Sequence, residues 1–147
     1  MKKLIIMGIF AVLSGLFPCQ ANADTNVVRS DKGFTTTLDI DNFKWTRQPE
    51  SCVIKGDTIE VVTKPCTDLW QRTYYHFRND NAPVFQMETE EKFFSFIVKT
   101  DFTESHHRFD QCGIVLYLDS DNWLKGSVEY ENEEYQHLGS VVTNNGY

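Results

Sequence analysis

No stretch of this 147-residue chain sustains the 3.6-residue apolar period of an amphipathic helix. Helical bundles and coiled coils are excluded on that ground. No apolar run reaches the roughly 20 residues that a membrane-spanning helix needs, and neither an internal repeat nor a low-complexity tract is present. The phosphate loop, the dinucleotide fingerprint and the nucleophile elbow are all absent, so those enzyme classes lose their sequence signature. Positive charge is scarce, 14 Lys and Arg against 21 Asp and Glu, giving a net charge of −7. An acidic surface repels phosphate backbones and anionic headgroups, which argues against a nucleic-acid partner. Cysteines are few: Cys19, Cys52, Cys66 and Cys112.

The N-terminus has the order of an export signal. Lys2 and Lys3 are followed by the apolar run 4–17, closed by Pro18, and then by Ala21-Asn22-Ala23, a small-x-small cleavage site. Residues 1–23 are therefore expected to be a signal peptide and 24–147 a single β-sandwich domain, exported to the periplasm or secreted, with no membrane span after cleavage. Removing Lys2 and Lys3 takes the charge to −9. Cys19 leaves with the signal. In a compartment that permits disulfides, Cys52 and Cys66, which flank a predicted hairpin, are the expected pair. Cys112 falls inside an apolar strand, where a buried thiol acts as a small hydrophobe.

Short runs rich in β-branched and aromatic residues, separated by Gly, Asp and Asn, give an all-β pattern. Strands are predicted at 34–40, at 52–54 and 58–63 as a hairpin turning at 55–57, at 73–77, at 84–89 and at 92–102. In the last of these Phe94, Phe96 and Val98 alternate with Phe93 and Ile97, which predicts burial on both faces. A meander of 112–118, 123–130 and 135–143 is the clearest unit. One face carries Cys112, Ile114, Leu116, Leu124, Val128 and Tyr130 and is the expected core; the other carries Tyr117, Trp123, Lys125 and Glu129. The Asn145-Gly146 hairpin-turn signal comes just before Tyr147.

Several motifs carry a family resemblance: Thr67-Asp68-Leu69-Trp70 with Tyr74 and Tyr75, Phe109-Asp110-Gln111-Cys112-Gly113, the run 122–130 from Asn122 to Tyr130, and Ser140-Val141-Val142-Thr143-Asn144. With these the chain resembles, from Trp45 onward, a family of concanavalin A-like β-sandwich proteins grouped as a domain of unknown function. The resemblance implies a jelly-roll sandwich of the lectin and glucanase superfamily with no agreed activity. In relatives the chain runs on past the equivalent of Tyr147, so it also implies a domain lacking its last strands, with 135–143 as an unpaired edge open to oligomerisation. Cys112 and the acidic connector 131–134 depart from the family pattern.

Lectin-like faces stack sugar rings on aromatics and bond hydroxyls through carboxylates, amides and Arg. The candidate ligand-binding set is Trp70, Arg72, Asp110, Gln111, Tyr117, Trp123, Lys125 and Glu129, with Trp123 as the stacking platform. The alternative is that Trp70 and Trp123 are core or sheet-covering aromatics and that Lys125 and Glu129 make cross-strand ion pairs. A glycosidase needs two carboxylates about 5 to 10 Å apart, and Glu129 and Glu131, about 6.6 Å apart on one strand face, are the candidates for that role. No cofactor and no metal site is expected; the acidic loops 119–121 and 131–134 offer oxygens for weakly held Ca²⁺ but match no calcium loop. The sequence reading is thus an exported, non-catalytic carbohydrate-binding or interaction module. Its alternatives are a glycan hydrolase of the glucanase type and a non-functional truncated copy.

Overall fold

The computed structural model of the chain describes residues 5–12, 19–22, 40–55, 58–90, 92–101 and 107–147. Among them there is no α-helix, and the strands are β1 (Ile5–Val12), β2 (Cys19–Asn22), β3 (Lys44–Trp45), β4 (Ser51–Lys55), β5 (Thr58–Val62), β6 (Leu69–Gln71), β7 (Arg78–Asp80), β8 (Val84–Thr89), β9 (Lys99–Asp101), β10 (Gln111–Asp119), β11 (Asn122–Tyr130) and β12 (Gln136–Thr143). They form a six-stranded sheet in the order β12-β11-β10-β1-β8-β3, a four-stranded sheet β4-β5-β2-β9, and the two-stranded hairpin β6-β7. The protein is an all-β sandwich.

The expected meander is the backbone of the larger sheet. Leu116 opposes Leu124, Cys112 opposes Val128, and Ile114 opposes Gly126, so one face of β10 meets the like face of β11. On that face Cys112, Val128 and Tyr130 join Phe85 of β8 and Ile59 and Val61 of β5 in a core between the two sheets. Phe43 and Trp45 close it against the Phe85 ring, the first stacked at 5.2 Å and the second tilted at 4.8 Å. The opposite face is covered as well. There Val115, Trp123 and Val84 pack with Leu69 of β6 and Ala82 just beyond β7, which places the β6-β7 hairpin over the meander. The Asn145-Gly146 signal forms its turn, both residues at positive φ (52° and 78°) as a tight hairpin turn of that kind requires. The turn docks on the β10-β11 connection through Gly146 N–H donating to the Asp121 carbonyl and Asn145 N–H to Asn122 Oδ1.

Several expectations are corrected. Residues 73–77 are a turn between β6 and β7 rather than a strand, with Arg72, Tyr74 and His76 in the left-handed region. Of the strand expected at 92–102, the described residues 92–101 form one only at Lys99–Asp101. Phe96 and Val98 pack on the inter-sheet core, whereas Phe93 and Ile97 are 93% and 65% exposed, because none of the described residues forms a layer over their side. The strand expected at 34–40 falls outside the described residues except Ile40, which opens a short 3-10 turn. The edge expected at 135–143 is β12, the outermost strand, with Leu138 and Val142 exposed but Val141 packed against the Trp123 cluster. The segment expected to be removed as a signal supplies, through β1 and β2, an inner strand to each sheet.

Candidate functional site

The β10-β11 register sets Gln111 opposite Glu129, Gly113 opposite Ser127, Val115 opposite Lys125 and Tyr117 opposite Trp123, all on the face beneath β6. Gly113 has no side chain to separate its neighbours on that face, which leaves room for a polar cluster. Lys125, 1% exposed, donates from Nζ to Gln111 Oε1 at 3.0 Å, and Ser127 Oγ donates to the same oxygen at 3.1 Å. Gln111 Nε2 in turn donates to Glu129 Oε2 at 3.4 Å. From above, Asp68 brings Oδ1 to 3.7 Å from the ammonium, and the Trp70 and Trp123 rings lie 5.1 and 6.0 Å from it, close enough for cation–π attraction. A charged lysine under a hairpin is tolerated because every one of these groups compensates part of its lost hydration.

Burial dominates the electrostatics. It pushes the Lys125 pKa down against the pull of Asp68 and Glu129, and it pushes the Asp68 and Glu129 carboxyls up against the pull of Lys125. A carboxyl with a raised folded-state pKa binds more protons folded than unfolded, so its contribution makes stability fall as pH rises from about 4 through the raised value. We therefore expect Asp68→Asn to flatten the decline in urea midpoint between about pH 4 and neutrality. A slope that stays as steep in the variant would remove Asp68 from the account.

Beyond this cluster the sequence candidates part company. Trp123 is 3% exposed and belongs to the core, so it cannot be a surface platform; alternation alone does not reveal that a hairpin covers its face. Tyr117 donates to Asp80 Oδ2 at 3.4 Å beside Arg47, whose Nη2 lies 3.2 Å from Asp80 Oδ1 without hydrogen-bond alignment. Arg72 reaches the C-terminal turn, donating to the Gly146 carbonyl at 3.4 Å and lying over the Tyr147 ring. Asp110 is buried and holds the turn before β10, accepting from the His107 backbone N–H. Glu131 sits between Arg108 at 2.9 Å and His137 at 3.6 Å. Cys52 and Cys66 are free thiols, so the expected bridge is not formed in this structure, and Cys112 is buried. The acidic loops close on themselves: Asp119 Oδ1 accepts from Asp121 N–H and Asn122 Nδ2, and Asn132 Oδ1 from Glu134 and Tyr135 N–H.

Two groups lie outside the candidate set. Asp68 and Ser127 complete the lysine cluster; the Asp68-x-Trp70 spacing, which puts both on one side of an extended segment, is the signal that points to Asp68. The second group is the aromatic hairpin itself. Trp70 lies 5.9 Å from Tyr75 and 6.1 Å from Phe77, and Tyr74 meets Tyr75 edge-on at 4.8 Å. Tyr74 is 82% exposed, and Tyr75 and Phe77 are also exposed.

These features define an all-β sandwich domain with a buried charged network beneath an exposed aromatic hairpin. Residues 45–147 match the model of the family described as protein of unknown function (DUF1349), and the chain belongs to that family. It is similar to the protein named Regulation of enolase protein 1 of Saccharomyces cerevisiae (strain ATCC 204508 / S288c), 30% identical over 100 residues that cover 68% of this chain and 49% of that protein. The chain thus spans about half the length of the curated relative it matches. No solved structure matches it.

Proposed function

We propose that the protein is an exported, non-catalytic module that binds a neutral polysaccharide or glycan through the aromatic hairpin between β6 and β7. One observation carries this reading: four contiguous rings, Trp70, Tyr74, Tyr75 and Phe77, form a mostly exposed surface on a loop that holds three non-glycine residues at φ of 54°, 61° and 62°. Each such residue costs on the order of 1–3 kcal/mol, and strain of this kind concentrates at ligand clamps. An exposed apolar patch rimmed by polar groups is also where soluble domains meet partners. The order of basic, apolar and small residues at the N-terminus supports export, and the acidic charge favours an uncharged sugar over a sulfated one.

Tyr75→Ala is expected to weaken retention on a glycan array about tenfold or more, the loss of about 1.4 kcal/mol, while the thermal midpoint stays within a few degrees. Equal retention by the variant would remove the hairpin from binding. The hydrolase reading retains one observation in its favour: burial pushes the Glu129 carboxyl up while Glu131 pairs with Arg108, two carboxyl groups in different settings. Polysaccharide cleavage that Glu129→Gln abolishes without loss of retention would replace the binding reading by that one.

A further inference from the structure

The larger sheet has an inner strand from the N-terminal segment. β1 runs antiparallel to both β10 and β8, with Ile6 opposite Tyr117 through Val12 opposite Gln111 on one side and Ile5 opposite Thr89 through Phe10 opposite Val84 on the other. The walls β8 and β10 are therefore parallel to each other and two strand spacings apart, roughly 10 Å, too far to bond directly. They are also among the most buried parts of the molecule, with Val84 and Val115 in one core and Phe85 and Cys112 in the other. Loss of β1 would leave two rows of buried, unpaired N–H and C=O groups, a state folded chains avoid.

A second segment of the same chain fits this slot. Residues 92–98 follow β8 after a two-residue connection, so turning back they would run antiparallel to it, the direction the slot demands. The hairpin register then pairs Phe94 with Met87, Phe96 with Phe85, Ser95 with Gln86 and Ile97 with Val84. Each pairing is matched in chemistry. Phe96 and Phe85 already stack on the same ring, Phe43, at 6.3 and 5.2 Å. Gln86 Oε1, buried and without a hydrogen-bond partner among the described residues, would meet the Ser95 hydroxyl. Ile97, now exposed, would enter the Val84 cluster. A sequence apolar on both faces, as 93–98 is apart from Ser95, is what an inner strand needs, yet with β1 in place Phe93 and Ile97 face solvent. β2, the neighbour of β9, belongs to the same N-terminal segment, so its departure also frees the far end of 92–98.

We propose that residues 92–98 are the alternative occupant of the slot between β8 and β10, and that removal of residues 1–23 exchanges β1 for this segment. The N-terminal segment then holds a precursor form of the sandwich, and cleavage completes the final one. This rests on the export reading for its trigger and not on the sugar.

The test uses the full chain with a specific protease site placed after Ala23, studied uncut and after cutting, separation of the peptide in mild denaturant, and refolding. In the uncut protein, amides of 93–98 are expected to exchange freely and Gln86→Cys with Ser95→Cys to stay unbridged. In the cut protein, those amides gain protection at least tenfold, the bridge forms, and 84–89 and 111–117 remain protected. Ile97→Asp supplies an independent reading: no shift in the uncut midpoint, a clear fall in the cut one. The proposal is overturned if the cut chain fails to refold, if 93–98 stay unprotected after cutting, or if the bridge forms equally before it. Intact mass of the exported protein, expected to begin at Asp24, is read separately; a chain that begins at Met1 yet exchanges strands on cutting would sink export alone.

Discussion

Trp123→Ala should unfold the domain or cost it about 3–5 kcal/mol, the range for deleting a large buried aromatic side chain, with a fall in thermal midpoint of roughly 10–20 °C for a chain of this size. The ring is 3% exposed and packs with Leu69, Ala82, Val84 and Val115, so truncation leaves a cavity touching β6, β8, β10 and the loop after β7 at once. The indole N–H has no hydrogen-bond partner among the described residues, and Trp123→Phe is therefore expected to recover most of the stability. A surface sugar platform would behave in the opposite way, with the alanine variant folded and unable to bind. Thermal unfolding of the two variants decides between these outcomes, and a midpoint unchanged in Trp123→Ala would refute the core assignment.

Gly113→Ala is the second substitution with a large expected effect. A Cβ there would overlap the Gly126 carbonyl oxygen and come within 2.7 Å of Ser127 Cα. Both obstacles are backbone of the paired strand β11, so relief requires β10 and β11 to part. Overpacking in a rigid site costs typically 1–3 kcal/mol and occasionally more; about 3 kcal/mol is expected here, because parting the strands also breaks the hydrogen bonds that Lys125 and Ser127 donate to Gln111. Gly139→Ala is the built-in control, since nothing lies within 4 Å of its added Cβ. Unfolding free energies from urea titration of the two variants that differ by less than about 1 kcal/mol would show that the strands yield cheaply.

The two variants bear on the same design. Lys125 is buried on the face that Gly113 opens and Trp123 flanks, so the charged cluster is a product of close strand approach rather than of surface chemistry. The aromatic hairpin above it then sits on a fixed base: Trp70 contacts the Lys125 ammonium below and Tyr75 and Phe77 above, and its Nε1–H donates to the Thr73 carbonyl at 2.9 Å. A loop anchored in this way holds its tyrosines already ordered, so the proposed binding would carry a smaller entropy cost.

What the sequence determined by itself was local. The three-strand meander, the hairpin of β4 and β5, strand β8 and the Asn145-Gly146 turn follow from alternation and turn chemistry within a few residues, and the structure has them at nearly the predicted bounds. Alternation also sorted Trp123, Lys125 and Glu129 from Val128 and Tyr130 correctly. It cannot say which set faces inward, because period two gives the relation between faces and not what lies over each. That was decided by β6 and the Asp68 carboxylate, far earlier in the chain, which cover the polar face and make it a second core. The same limit applies to 92–98: its pattern is that of a strand buried on both sides, and only the long-range competition with β1 for one slot decides whether the two walls it needs are free.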